Sequence, residues 1–298
     1  MKIARLFDSN SGETYALIRS DGKRLVTRRE IQRELEITLP ETLEDFLFGK
    51  QGDSGYYVDK VKQSESKLKY HESIDKFKIL PPILRTYKII CLAFNYLDQA
   101  SWLRFGKTPP KDPVIYMKAR TSLIGPYEDI CCPKFVTQLD YEGELALVIK
   151  DRCKNVSEDK ALDHVGGYFI LNDVSARDIQ FIDKQYGRAK SFDTFGPCGP
   201  WLTTPDEIPD PCNLHLTTKI NGQVRQDSST KNFVLKVDRI IHSLSKVMTL
   251  EPGDIISTGT PSGTVLSLSS HFKYLQQDDI VEVEIEKLGM IRNRVVFV

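Results

Sequence analysis

The sequence predicts an α+β protein that is mainly β, with a small α/β unit over residues 1–80 and a larger domain over 84–298. Three observations carry this. Short runs rich in β-branched and aromatic residues recur along the whole chain, among them KIARLF, ETYALIR, KIICLAF, PVIYMKA and YFIL. Hairpin signals punctuate them, Asn221-Gly222 above all. Few stretches show helical periodicity.

In the first unit KIARLF and ETYALIR read as strands, and Asp21-Gly22 turns the chain into a third, KRLVT. Leu39–Phe48 reads as a helix. Thr38 or Pro40 starts it, Leu43, Phe46 and Leu47 form its apolar stripe, and Gly49 stops it. Val58–Leu68, rich in Lys, Ser and Glu, reads as an exposed helix with solvated charges. Residues 69–86 connect the units, held extended by Pro81-Pro82.

From Tyr87 the pattern turns to β. KIICLAF is a buried strand and PVIYMKA a second one, with NYLDQASWLRFGK between them as a short helix over the sheet edge. Lys154–His164 is an exposed link, helical near SEDKALDH. LHLTTKING and QVRQDSS pair through Asn221-Gly222. Val237–Met248 is an amphipathic helix whose stripe is Val237, Ile240, Ile241, Leu244, Val247 and Met248. Glu251-Pro-Gly-Asp254 has the residues of a type II turn.

The 298 residues suffice for two units and a sizeable core. Lys plus Arg and Asp plus Glu are both 41, so the formal charge is zero, which argues against a nucleic-acid or anionic-membrane footprint. Apolar runs such as Ile89–Phe94 are far too short to span a bilayer, and MKIARLFDSNSGE lacks the apolar core of a secretion signal. The cysteines at 91, 131, 132, 153, 198 and 212 have no CxxC spacing, so reduced thiols in the cytoplasm are expected, and no zinc site. His71, His164, His215, His242 and His271 form no set with a Ser or Cys nucleophile.

The chemistry concentrates in Thr137–Asp178. In TQLDYEGELALVIK, residues two apart share a strand face, so Glu142 and Glu144 project together with Asp140, Ala146 and Val148. Leu139, Tyr141, Leu145, Leu147 and Ile149 fill the other face. Both faces are largely apolar, as in a strand covered on both sides. Paired carboxylates there need compensation, and a divalent cation supplies it, with Asp173, after the run YFIL, as a third ligand. Carboxylates without His or Cys suit Mg²⁺, Mn²⁺ or Ca²⁺. Spacing alone does not decide the matter. Glu282, Glu284 and Glu286 repeat it while alternating with Val281, Val283 and Ile285, the pattern of a sheet with one wet face.

EGELALVI, GYFILNDVSARDIQ, GRAKSFDTFGPCGPWL, INGQVRQDSST and MTLEPGDIISTGTPSG, in this order, resemble the fumarylacetoacetate hydrolase family over about residues 84–298. The resemblance implies a mixed β-roll catalytic domain, a homodimer, and a divalent cation, Mg²⁺ first, on Glu142, Glu144 and Asp173. It implies that Lys190, Gln180 and Arg177 are catalytic. It further implies that Gly259, Thr260 and Tyr96 bind substrate, the Gly259–Thr260 loop holding a carboxylate. Taken alone, Arg177 reads as the partner of Asp178, and Lys190 as a solvated loop lysine.

One segment departs from the family. Many relatives carry N-Y-x-x-H-x-x-E, whose His and Glu manage the catalytic water or proton. In this chain Gln99 and Trp102 stand at those positions, and neither can accept a proton from water. The expected activity is metal-dependent cleavage of a carbon–carbon bond in a β-diketo or 2-oxo acid. Isomerisation, decarboxylation or dehydration of a 2-oxo acid at the same enolate site is the alternative, and a metal-binding homologue without turnover the third. The segment Asn95–Lys107 is expected to act as a lid.

Overall fold

The computed structural model describes residues 1–49, 54–98, 109–267 and 273–298. The expected lid lies mostly outside them, with Gln99 and Trp102. Strands dominate, as the sequence predicts.

A 12-stranded sheet forms the spine. At its centre is β11 (Gly143–Ile149), buried at every position, antiparallel to β12 (Val165–Asn172) on one side and to β17 (Ile255–Ser257) on the other. Its pleat feeds two cores. Leu145, Leu147 and Ile149 enter one cluster with Ile240, Ile241 and Val283. Ala146 and Val148 enter another with Ile3, Tyr15 and Phe46, from the first fifty residues. The sheet runs on through β17 to the parallel β6 (Ile89–Ala93) and the antiparallel β7 (Val114–Met117). In the other direction β12 pairs with β14 (Gly196–Thr203), and β14 with β1 (Lys2–Asp8), which places Lys2 opposite Thr203. The N-terminal strands therefore extend the same sheet.

The 5-stranded second sheet holds the Asn221-Gly222 hairpin, His215–Ile220 with Gln223–Ser229. Asn221 and Gly222 both take positive φ, 51° and 77°, as a two-residue turn of this kind requires. Beside it, Ile280–Ile285 buries Val281, Val283 and Ile285 and turns Glu284 to solvent, the wet-faced strand the alternation predicts.

The helices differ from expectation in detail. The first spans Arg28–Leu35 and has no counterpart in the sequence reading. The second covers Leu43–Phe48, not Leu39–Phe48. Thr42 rather than Thr38 or Pro40 caps it by accepting the Asp45 N–H at 3.2 Å, and Gly49 ends it with φ 69°. A third runs over Tyr56–Lys62, followed by a 3₁₀ turn at Glu65–Lys67. The amphipathic helix Val237–Val247 buries Val237, Ile240, Ile241 and Leu244, but Val247 is 73% exposed. At about 100° per residue it falls on the margin of the apolar arc.

Candidate active site

β11 begins immediately after Glu142, and β12 ends immediately before Asp173. The ladder pairs Gly143 with Asn172 and Glu144 with Leu171, so the two flanking acids meet at its end. The Asp173 N–H donates to the Glu142 carbonyl at 2.9 Å, and the Glu142 N–H to Asn172 Oδ1 at 2.9 Å. Glu144 lies one pleat further along, fully buried. One oxygen from each of Glu142, Glu144 and Asp173 lies within 4.8 Å of the others. The structure thus brings the three expected carboxylates together.

Cations surround them. The short helix Gly187–Lys190 delivers Lys190, whose Nζ donates to Glu142 Oε2 at 2.5 Å and Asp173 Oδ2 at 2.8 Å. From β7 and the residue beyond it come Tyr116, whose hydroxyl donates to Asp173 Oδ2, and Lys118, whose Nζ donates to Asp173 Oδ1 at 2.8 Å. Lys118 also donates to the Lys190 carbonyl. Arg177, heading the helix Arg177–Asp183, reaches Asp140 Oδ2 at 2.9 Å, Glu142 Oε1 at 2.6 Å and Gln180 Oε1 at 2.9 Å. Its partners are Asp140 and Glu142, not the adjacent Asp178, which accepts instead from the N–H and hydroxyl of Thr137.

These partners divide the acids electrostatically. Burial pushes the Asp173 carboxyl up, but Lys118 and Lys190 outweigh it and hold its pKa below the usual range. Glu144 is driven the other way. Burial, then the charges of Asp173 and Glu142, raise its pKa well above a normal carboxylate's. Lys190 is kept protonated by Asp173 and Glu142 despite its burial.

Glu144 also supplies the test of whether a cation fits. Its Oε2 accepts from Ser257 Oγ at 2.5 Å and from the Gly259 N–H at 3.0 Å, while its Oε1 is buried with no hydrogen-bond partner. A buried carboxylate oxygen left so is costly. A hard divalent ion would relieve that cost and the mutual repulsion of the acids, and the all-oxygen donor set suits Mg²⁺, Mn²⁺ or Ca²⁺. The residues fit the group. A second cluster, Glu30, His71 and Glu72, is partly exposed and already paired: His71 bridges to Glu30 at 2.7 Å, and Glu72 to Lys76 at 2.7 Å.

The residues expected to bind substrate lie close by. Gly259, at φ 89°, turns its N–H onto Glu144. Thr260 donates its hydroxyl to the Gly143 carbonyl at 2.9 Å and accepts from Gln226 at 2.7 Å. In this structure those groups brace β11. Tyr96 is fully buried, edge-on to Phe233 with ring centroids 4.9 Å apart. Burial and then the charge of Glu144 raise its pKa. Sequence reasoning missed Tyr116, Lys118 and Ser257 and gave Asp140 no role. For the first two a signal existed: Tyr116 and Lys118 are two apart in PVIYMKA and so share a face.

A mainly β fold thus carries a buried carboxylate cluster inside a shell of lysine and arginine. The fumarylacetoacetate (FAA) hydrolase C-terminal family matches residues 88–296, and this chain belongs to that family. It is 39% identical to the mitochondrial oxaloacetate tautomerase fahd2 of Xenopus laevis, over 87% of this chain and 80% of that one. Among solved structures, it superposes on a fumarylacetoacetate hydrolase from Exiguobacterium antarcticum with a TM-score of 0.81 and 32% identity, covering 100% of both chains. A 5-carboxymethyl-2-hydroxymuconate delta-isomerase from Mycobacterium smegmatis gives 0.77 and 32%, again over 100% of both chains. Family members are enzymes that typically use a divalent metal, and the cluster could hold one.

Proposed function

We propose that this enzyme moves a proton in a 2-oxo acid, interconverting keto and enol forms or shifting a double bond through an enolate. Water-dependent cleavage of a carbon–carbon bond becomes the second reading. One observation carries this order: the carboxylate cluster is ringed by Lys118, Arg177 and Lys190, but no described histidine touches it. His164 and His215 pair with Asp151 and Asp227, His242 with the Val156 carbonyl, and His71 with Glu30. Gln99 and Trp102 add no base to activate water.

Bound by Glu142, Glu144 and Asp173, a divalent cation would act as a Lewis acid on the 2-oxo group. The protein's own groups do the rest. Lys190, held protonated, is a fixed donor for charge gathering on an enolate oxygen, as is effective in a site sheltered from water. Arg177 fixes Glu142 through Nη2 and turns Gln180 through Nη1. Tautomerisation consumes no water, so it needs no group that activates one; the proton leaving carbon still needs an acceptor, and in this reading a carboxylate of the cluster takes it and returns it to oxygen. The proposal includes Mg²⁺ as the cation, a small 2-oxo acid as substrate and a homodimer. Exposed Phe135, Phe181 and Ile182 offer apolar surface for a second copy. The second reading, hydrolysis, rests on the likeness to the Exiguobacterium antarcticum hydrolase.

The test uses purified enzyme with Mg²⁺ or Mn²⁺. Oxaloacetate enol–keto exchange, followed by enol absorbance, is expected to accelerate, and an acylpyruvate to survive. Acylpyruvate cleavage without faster tautomerisation would reverse the order.

A further inference from the structure

The position of Lys118 suggests a role that the metal and enolate reading, on which it rests, does not contain. Its side chain is fully buried, with Nζ 2.8 Å from Asp173 Oδ1. Its charge is therefore unscreened by solvent. Asp173 Oδ2 already accepts from Lys190 and from Tyr116. Both oxygens of one of the three carboxylates are thus satisfied before any ion arrives.

We propose that Lys118 weakens the cation in order to strengthen the anion. Four buried acids, Asp140, Glu142, Glu144 and Asp173, sit with three buried cations: Lys118 on Asp173, Arg177 on Asp140 and Glu142, and Lys190 on Glu142 and Asp173. With all of them ionised, a divalent ion leaves the centre with one positive charge in excess, and without Lys118 it would be neutral. A 2-oxo acid enters as an anion and gains one further negative charge as its enolate forms, so a positive surplus favours both events. The same ammonium repels the metal. Coulombic interaction acts on both with opposite sign, whereas a merely structural lysine would loosen both when removed. Lys118 is a positioning residue in this sense: it acts on substrate and ion through Asp173 and the site's net charge.

The experiment is a calorimetric Mn²⁺ titration of the wild type, Lys118→Gln and Lys118→Arg, followed by the KM of oxaloacetate at saturating Mn²⁺. The glutamine keeps a hydrogen-bond donor and removes the charge. It is expected to tighten Mn²⁺ by about tenfold and to raise the KM by about tenfold. Lys118→Arg is expected to keep Mn²⁺ affinity within about threefold of the wild type. Weaker Mn²⁺ binding by Lys118→Gln overturns the proposal and leaves the metal site standing, whereas a wild type that binds no Mn²⁺ sinks the metal site itself. Should Lys118→Gln fail to fold, the arginine variant decides: retained affinity supports the charge argument, and lost affinity overturns it.

Discussion

Replacing Glu144 with glutamine separates the two things this residue does. In the metal-free protein burial and its acidic neighbours push its carboxyl toward the neutral form. Glutamine is neutral too, and its carbonyl oxygen can accept from Ser257 and Gly259 as Oε2 does. Folding stability in EDTA at neutral pH should therefore change by no more than about 1 kcal/mol, the net worth of one hydrogen bond. Its dependence on pH should change as well. A carboxyl with a raised folded pKa binds more protons folded than unfolded between about pH 4.3 and its folded value, so its contribution to stability falls as pH rises through that window. Glu144→Gln should remove that slope. With metal the outcome reverses. Mn²⁺ at one hundred times its dissociation constant stabilises the wild type by about 2.7 kcal/mol, a shift of about 4 °C in Tm for a chain of this size. The variant, having lost one of three charged ligands, should show almost none of that shift. Differential scanning calorimetry with EDTA and with Mn²⁺ measures both. An undiminished Mn²⁺ shift, or a loss of several kcal/mol in EDTA, would refute the reasoning.

Three further variants probe other parts of the site. Lys190→Ala should lower kcat and kcat/KM together by about 10²–10³-fold, because its charge acts as the enolate develops; a raised KM at normal kcat would make it a ground-state binder. Gly259→Ala should cost about 1–3 kcal/mol, since φ is 89° and a Cβ would sit 3.1 Å from Asn95 Cβ and 3.2 Å from the Leu92 carbonyl; an unchanged Tm would contradict this. Gln99→His with Trp102→Glu should confer measurable acylpyruvate cleavage only if the enzyme works by activating water, so continued inactivity in a chromatographic assay of the products is the outcome expected of a tautomerase.

The acids were legible because they flank the ends of adjacent strands. EGELALVI and YFILND each read as buried β, and antiparallel pairing then brings Glu142 to Asp173. The cations were less so. Arg177 and Lys190 came from family resemblance, because their partners, Asp140, Glu142 and Asp173, lie far off in sequence. Tyr116 and Lys118 were passed over in a strand that reads as apolar. The structure buries both and leaves Met117, between them, 43% exposed, which inverts the hydropathy pattern. The helix Arg28–Leu35 escaped for another reason. It buries only Ile31, so no apolar stripe marks it. Thr27 and Glu30 did mark it, since the Thr27 N–H donates to Glu30 at 2.8 Å in the manner of a capping box.

The double use of β11 limits how such an enzyme can be taken apart. The strand that carries Glu144 presses Ala146 and Val148 into a core shared with Ile3, Tyr15 and Phe46. Removing the first eighty residues to make a minimal catalyst would uncover that apolar face and free the edge of β14, an invitation to aggregate. The N-terminal unit can drift in sequence, but only as far as it continues to cover the back of the strand that carries the site. A chimera with a relative would best be joined elsewhere, in connections that cross neither core.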